Sequence, residues 1–250
     1  MKVSIITVVF NNVLTIKTAI ESVLNQTYKN IEYIIIDGAS ADGTLEQIKL
    51  YRDKVDKIVS EPDKGIYNAM NKGIRLATGD IIGILNADDF FSNNQVIQKV
   101  VEAFAIQETD TIFGDVQFIN SSNENKIVRY YSSKRFKPQM FKYGFMPAHP
   151  SFYAKKELFE KFGYYKEDYL IAADYELLIR FLYKEKLKYR YIETPFVTMR
   201  TGGVSNKSLK SRFVLNKEII RACKENGIRT NSFKIYSKYF RKVFELTGNN

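Results

Sequence analysis

Asn86-Ala87-Asp88-Asp89 is where this 250-residue chain concentrates groups able to do chemistry. An amide and two carboxylates follow directly on the apolar run of residues 81–85. Adjacent carboxylates repel unless a cation or hydrogen-bond donors compensate them, and hard divalent cations select oxygen ligands. One histidine and one cysteine leave no set for a zinc site or for Cys–His catalysis. What remains is a carboxylate site for Mg²⁺ or Mn²⁺, suited to a substrate whose diphosphate oxygens share the ion. The competing reading is a solvated turn before a helix, since Asp and Asn favour both.

The elements around the stretch decide between the two. Residues 81–85 are apolar throughout, as a strand buried on both faces is. Residues 3–10 read as a first strand, ending in Asn11-Asn12, with Asn12 capping a helix through Ile16, Ala19, Ile20, Val23 and Leu24. Residues 31–36 form a second strand ending in Asp37-Gly38, followed by a helix through Leu45, Ile48 and Leu50. A third strand spans 55–60, and helical spacing resumes through Ile66, Ala69, Met70 and Ile74. This βαβαβαβ order predicts a parallel sheet with right-handed crossovers. Its polar strand ends, at Asn11, Asp37 and Asn86 to Asp89, then converge along one edge, where open α/β sheets bind ligands.

The second half reads as a helix over 94–104, a strand over 111–118, a polar turn and a hairpin return over 126–131. A strand at 151–153, a helix over 157–162 and a stronger helix over 172–183 follow. Asp174 and Glu176 lie in that helix's first turn, where the dipole favours acids. Short strands at 189–192 and 196–199 lead to a loop, Arg200 to Ser205, that holds Gly202-Gly203. His149 lies between Pro147-Ala148 and Pro150 in a loop-to-strand entry.

The net charge of +10 is uneven: residues 206–250 carry 11 Lys and Arg against 3 Glu, a net +8. Interleaved with Phe213, Phe233, Tyr236, Tyr239, Phe240 and Phe244, this basic segment fits packing on the domain or docking on anionic lipid. No nucleic-acid-binding motif accompanies the charge, so nucleic acid is not an expected partner. No apolar stretch approaches the roughly 20 residues that span a bilayer. The lone Cys223 fits a reducing compartment, so the expected location is the cytoplasm, with peripheral docking at the inner face of the cell membrane. No Gly-x-Gly occurs, and the loop from Gly38 to Thr44 has a P-loop's glycine spacing without its Lys.

Ser4-Ile5-Ile6-Thr7-Val8-Val9-Phe10-Asn11, Ser22-Val23-Leu24-Asn25-Gln26-Thr27, Asp37-Gly38-Ala39-Ser40-Ala41-Asp42-Gly43-Thr44 and Asp63-Lys64-Gly65-Ile66-Tyr67-Asn68-Ala69-Met70-Asn71-Lys72-Gly73 occur in order. With Ala77-Thr78-Gly79-Asp80 and Leu85-Asn86-Ala87-Asp88-Asp89, they resemble a family 2 glycosyltransferase of the inverting GT-A type. The resemblance is densest over residues 1–90. It implies the α/β GT-A (nucleotide-diphospho-sugar transferase) fold, a wound, mostly parallel sheet with helices on both faces, here with a basic helical C-terminal tail. Residues 1–205 would form the transferase domain, with a nucleotide-sugar half at 1–90 and an acceptor half at 91–205, and 206–250 the extension.

The resemblance also implies a nucleotide-sugar donor, usually a UDP-sugar, with Val8, Asp37, Lys64, Asn68, Asn86 and Asp88 as its contacts. Asn86-Ala87-Asp88 stands where the family has Asp-x-Asp, its first acid replaced by Asn, so Mn²⁺ or Mg²⁺ is expected on Asp88 and Asp89. Asp174 occupies the place of the family's Glu-Asp pair, Ala173 replacing the Glu, which implies a general base. Glu176 points elsewhere on the helix and is the weaker candidate, and His149 and Arg200 are expected near acceptor or diphosphate. Neither a Gln-x-x-Arg-Trp motif nor any Trp is present, as expected of a bacterial single-addition enzyme of surface polysaccharide synthesis acting on a glycan or lipid-linked glycan. Two other functions compete. A sugar-phosphate nucleotidyltransferase would need a glycine-rich loop after the first strand, and residues 8–12 hold no Gly. A binding module that had lost its base would have no use for Asp174.

Overall fold

Every residue of β1 (Val3–Val9) is buried, as a strand apolar on both faces requires. In the computed structural model, which describes residues 1–120, 123–201 and 209–237, β1 lies parallel between β2 (Ile31–Asp37) and β4 (Ile81–Ile84). β3 (Lys57–Ser60) pairs parallel with β2 on the outside. The connections are α1 (Ile16–Leu24), α2 (Thr44–Lys49) and α3 (Ile66–Leu76). Alternation along each strand splits the core in two. Ile6, Val8, Ile34 and Ile36 face α3, while Val3, Ile5, Val9 and Ile35 face α1. α3 approaches β1 closely because residue 73 is glycine: a Cβ there would stand 2.4 Å from Ile6 Cγ2.

The amino ends of these strands are pinned by one buried carboxylate. Glu32 accepts hydrogen bonds from Ser4 Oγ (2.6 Å), Thr78 N (2.7 Å), Thr78 Oγ1 (2.8 Å) and Lys57 Nζ (2.9 Å). Burial alone would raise its pKa; these donors outweigh burial and hold it at about 2.

Beyond β4 the sheet turns mixed. β5 (Phe90–Phe91), α4 (Val96–Phe104), β6 (Thr111–Asn120) and β7 (Asn123–Tyr131) come next in the chain. After them come β8 (Tyr153–Lys155), α5 (Lys156–Phe162), α6 (Ala173–Ile179), β9 (Tyr189–Arg200) and α7 (Leu209–Glu225). Among the described residues the strand order is β3-β2-β1-β4-β8-β6-β9-β5, with β7 paired to β6. β8 runs antiparallel to β4 and β6, and β5 antiparallel to β9, whereas β6 and β9 are parallel.

Four local expectations change. Residues 189–200 are one strand rather than two, because a register shift opposite Asp115 lets β9 absorb Pro195 and continue. Residues 149–151 form a 3-10 turn, and the strand begins only at Tyr153. Asn12 does not cap α1. Thr15 is the cap residue, and Asn12 Oδ1 accepts the Thr15 hydroxyl at 2.7 Å. The helix expected over 172–183 is α-helical only to Ile179 and closes with a π turn from Arg180 to Lys184. There the Arg180 guanidinium is held by Glu176 and by the carbonyls of Phe162, Gly163 and Tyr164.

α7 buries Ile219, Ala222 and Cys223 in the same core as Tyr175, Leu178 and Phe181. The described part of the basic segment is therefore continuous with the domain's core, with Phe213 and Phe233 left exposed. Gly202-Gly203, Tyr239, Phe240, Val243 and Phe244 lie outside the described residues. Among the described residues no helix is long and apolar enough to cross a membrane.

Candidate functional site

The carboxyl ends of β1, β2 and β4 are tied to one another. Asn11, in the left-handed region at φ 47°, accepts the Ala41 amide at 2.9 Å and donates its own amide to Ser40 Oγ at 2.8 Å. Asn tolerates that conformation, which turns the chain out of β1 toward the loop after β2. The Asn12 amide donates to Thr44 Oγ1, and Thr15 Oγ1 donates to the carbonyl of Ala87 at 2.8 Å. The three polar strand ends thus form one rim.

At its centre, Asp88 is exposed and Asp89 is 1% exposed. Among the described residues, Asn86 Oδ1 and Asp89 Oδ2 are buried oxygens with no hydrogen-bond partner. Burial first, then the charge of Asp88, pushes the Asp89 carboxyl well above the ordinary range, against smaller opposing effects of Asn86 and Arg200. Two orphaned oxygen acceptors beside an exposed carboxylate suit a hard cation, whose charge would reverse that shift. Among the described residues no three His, Cys, Asp or Glu side chains form a ready cage. An ion that draws its remaining ligands from a diphosphate and water needs none.

Arg200 reaches this centre from the far end of the sheet. Pairing of Phe90 with Thr198 in β5 and β9 brings the Arg200 guanidinium 5.0 Å from the Phe90 ring, and Nη1 donates to the Asp88 carbonyl at 2.9 Å.

β8 enters the sheet at the end where β4 leaves it, since Tyr153 faces Gly83 and Lys155 faces Ile81. The turn before β8 therefore sets His149 on the same rim. Ser151 fixes that turn, donating to the carbonyl of Gly114 at 2.9 Å and accepting its amide at 3.1 Å. His149 Nδ1 stands 3.1 Å from Asp174 Oδ2, the imidazole 40% and the carboxylate 16% exposed. Asp174 Oδ1 accepts the Tyr175 amide at 2.8 Å. The peptides leading into α6 are held from α7, where the Glu218 carboxylate accepts the amides of Leu170 (2.7 Å), Ile171 (2.9 Å) and Ala172 (3.0 Å). Glu176 faces the other way, fully buried against Arg180, Lys166 and Asn226, and is structural.

The remaining candidates are less available. Val8 packs its side chain into the core at 5% exposure, so a side-chain contact with a donor is not offered. Asp37 is fully buried and accepts Ser60 Oγ at 2.6 Å and the Ser40 amide, so contact with a base or ribose requires those bonds to exchange. Asn68 accepts the Lys64 amide and donates to Glu167 at 2.9 Å, while Lys64 is exposed. Sequence reasoning passed over two residues here. Phe10, 64% exposed, lies beside Gly38, where a Cβ would stand 3.3 Å from its ring and 2.5 Å from Asp63 Oδ2. An exposed aromatic at the end of an otherwise buried strand was the available signal. Glu218 gave none, because its role depends on which loop α7 packs against.

Residues 4–163 match the sequence profile of glycosyl transferase family 2. The chain belongs to that family. This transferase is 27% identical over 216 residues to a PGL/p-HBAD biosynthesis glycosyltransferase of Mycobacterium tuberculosis, covering 84% of this chain and 82% of the relative. It is 33% identical over 184 residues to an uncharacterized glycosyltransferase of the same species, covering 71% and 68%. Among solved structures the transferase resembles Staphylococcus aureus TarS, with a TM-score of 0.70 at 17% identity, over 98% of this chain and 44% of TarS. A mannosyltransferase from Pyrobaculum calidifontis, solved with GDP-Man and Mn²⁺, gives 0.60 at 18% identity over 90% and 63%. At these identities the likeness shows the fold, which is that of GT-A transferases.

Proposed function

We propose that this glycosyltransferase moves a sugar from a nucleotide-sugar, a UDP-sugar, to a hydroxyl of a glycan or lipid-linked glycan, with inversion at the anomeric carbon, in bacterial surface polysaccharide synthesis. The observation that carries it is the pair of buried oxygens, Asn86 Oδ1 and Asp89 Oδ2, that have no hydrogen-bond partner among the described residues, beside the exposed Asp88 carboxylate. Support for the donor comes from shortened forms of TarS solved with UDP and with UDP-GlcNAc, which share the fold at TM-scores of 0.66 and 0.65.

Asp88 and Asp89, with the Asn86 carbonyl, would hold Mn²⁺ or Mg²⁺, which neutralises charge building on the departing diphosphate. Arg200 adds a second positive charge at that end of the rim, and the exposed Phe10 ring offers a face on which a nucleobase can stack. Lys64 and Asn68 stand along the same rim. Deprotonation of the acceptor hydroxyl is assigned to Asp174 and the residue paired with it. The acceptor oxygen bonds to the anomeric carbon as the bond to the diphosphate breaks, on the opposite face of the sugar.

Calorimetry of UDP-, GDP- and dTDP-sugars with and without Mn²⁺ tests the site. Asp88→Asn and Asp89→Asn are each expected to weaken Mn²⁺-dependent binding at least about tenfold, as loss of a charged ligand does. Unchanged affinity in both variants refutes the assignment. A cytoplasmic enzyme that meets a lipid-linked acceptor would dock on the inner face of the membrane through residues 206–250, where Phe213 and Phe233 are exposed among cations. Sedimentation with anionic vesicles, weakened by salt, is expected; equal binding to neutral vesicles rules out the electrostatic part.

A further inference from the structure

The base end of the rim holds two side chains, and their arrangement distinguishes them. Asp174 Oδ1 accepts the Tyr175 amide, and Oδ2 stands 3.1 Å from His149 Nδ1, within reach of it. The carboxylate is 16% exposed and the imidazole 40%, so the ring is the more open member of the pair. A carboxylate that accepts Nδ1–H fixes the imidazole tautomer, leaves a lone pair on Nε2 and stabilises the imidazolium that forms when Nε2 takes a proton.

Resting on the reading of this site as one of glycosyl transfer, we infer that the atom which deprotonates the acceptor is Nε2 of His149, with Asp174 as its anchor. The acceptor O–H proton passes to Nε2. The freed oxygen pair forms the bond to the anomeric carbon, and the electrons of the carbon–diphosphate bond leave on the nucleoside diphosphate. Solvent then collects the proton from the exposed ring. The arrangement accounts for why a carboxylate at the start of α6 is covered by the chain's one histidine. The other titratable groups facing the pair do not compete. Tyr67 on α3 and Tyr165 before α6 both feel the Asp174 charge, and burial, the larger cause, raises both out of the working range. Glu218 faces Tyr67 with its carboxylate bound to three amides, and Arg180 faces Tyr165 while tied to Glu176.

Because His149 is the only histidine, its ring nitrogens can be read without ambiguity in ¹⁵N-histidine-labelled protein. The Nδ1–H tautomer is expected in the neutral ring, and Asp174→Asn should remove that preference. The reaction is followed as UDP release from UDP-GlcNAc with Mn²⁺ and water as acceptor. His149→Asn keeps an amide nitrogen near the Nδ1 position and has no Nε2. Its rate is expected to fall about 10²- to 10⁴-fold while the Kd for UDP-GlcNAc stays within about twofold. The pH profile of kcat/KM should differ between the native protein and His149→Asn, since the variant has no ring nitrogen to carry the proton. A wild-type rate in His149→Asn, or an Nε2–H tautomer in the native protein, overturns the inference and returns the proton to Asp174. If native protein binds no nucleotide-sugar at all, the donor reading fails, and the tautomer still decides the pairing.

Discussion

Asp174→Asn is expected to retain donor and metal binding and to lose transfer by roughly two to four orders of magnitude, the usual contribution of a positioned base. The amide can still accept the Tyr175 amide, so α6 stays formed. It can also present nitrogen to His149 Nδ1, which favours the wrong tautomer and removes the charge that stabilises an imidazolium. The loss therefore holds whether the proton goes to the carboxylate or to the ring beside it. Rate measurements under saturating nucleotide-sugar, with binding followed separately by calorimetry, give the two quantities. If Asp174→Asn turns over at the wild-type rate while Glu176→Gln is inactive, the base has been placed on the wrong side of α6. The burial of Glu176 against Arg180 and Lys166 argues against that outcome, since its removal should act on stability first.

Glu218→Ala is expected to lower stability by about 2–4 kcal/mol, because it strands up to three backbone amides ahead of α6. For a chain of this length that corresponds to a fall in Tm of roughly 4–16 °C. Leu170 is 76% exposed, so water can replace the carboxylate there; Ala172 is fully buried and has no such recourse. The peptides it holds lie two to four residues before Asp174, so that carboxylate should lose its placement as well. A misplacement near 1 Å can cost on the order of 100-fold in rate. Thermal melts and the UDP-release assay at a temperature where the variant remains folded separate the two effects. A folded variant with unchanged kcat would show that α7 stabilises the domain without positioning its chemistry. Glu218→Gln, which keeps one carbonyl acceptor, should fall between the two.

The first half of the fold was legible because its information is local. Residues 3–9, 31–36 and 81–84 are largely apolar without alternation, the pattern of strands covered on both faces, and polar residues follow within one residue of each strand's end. Convergence of Asn11, Asp37 and Asn86 to Asp89 follows from strand direction alone, and the hydrogen bonds from Asn11 to the Ala41 loop and from Thr15 to Ala87 realise it. The sequence by itself therefore determined the wound half, the rim and the carboxylates at its centre.

Tertiary structure decided the rest, since it depends on contacts between residues far apart in the chain. Whether a side chain at a strand end meets ligand or core is not written in its neighbours, and so Val8 went into the core and Asp37 against Ser60. Arg200 reached Asp88 only through pairing of β5 with β9, a separation of 112 residues. His149 met Asp174 because an antiparallel β8 delivers its preceding turn to the rim that β1, β2 and β4 face. α7, which composition presents as a charged appendage, proved to hold the peptides before Asp174, because net charge reports a helix's solvated face and says nothing of what its buried face supports.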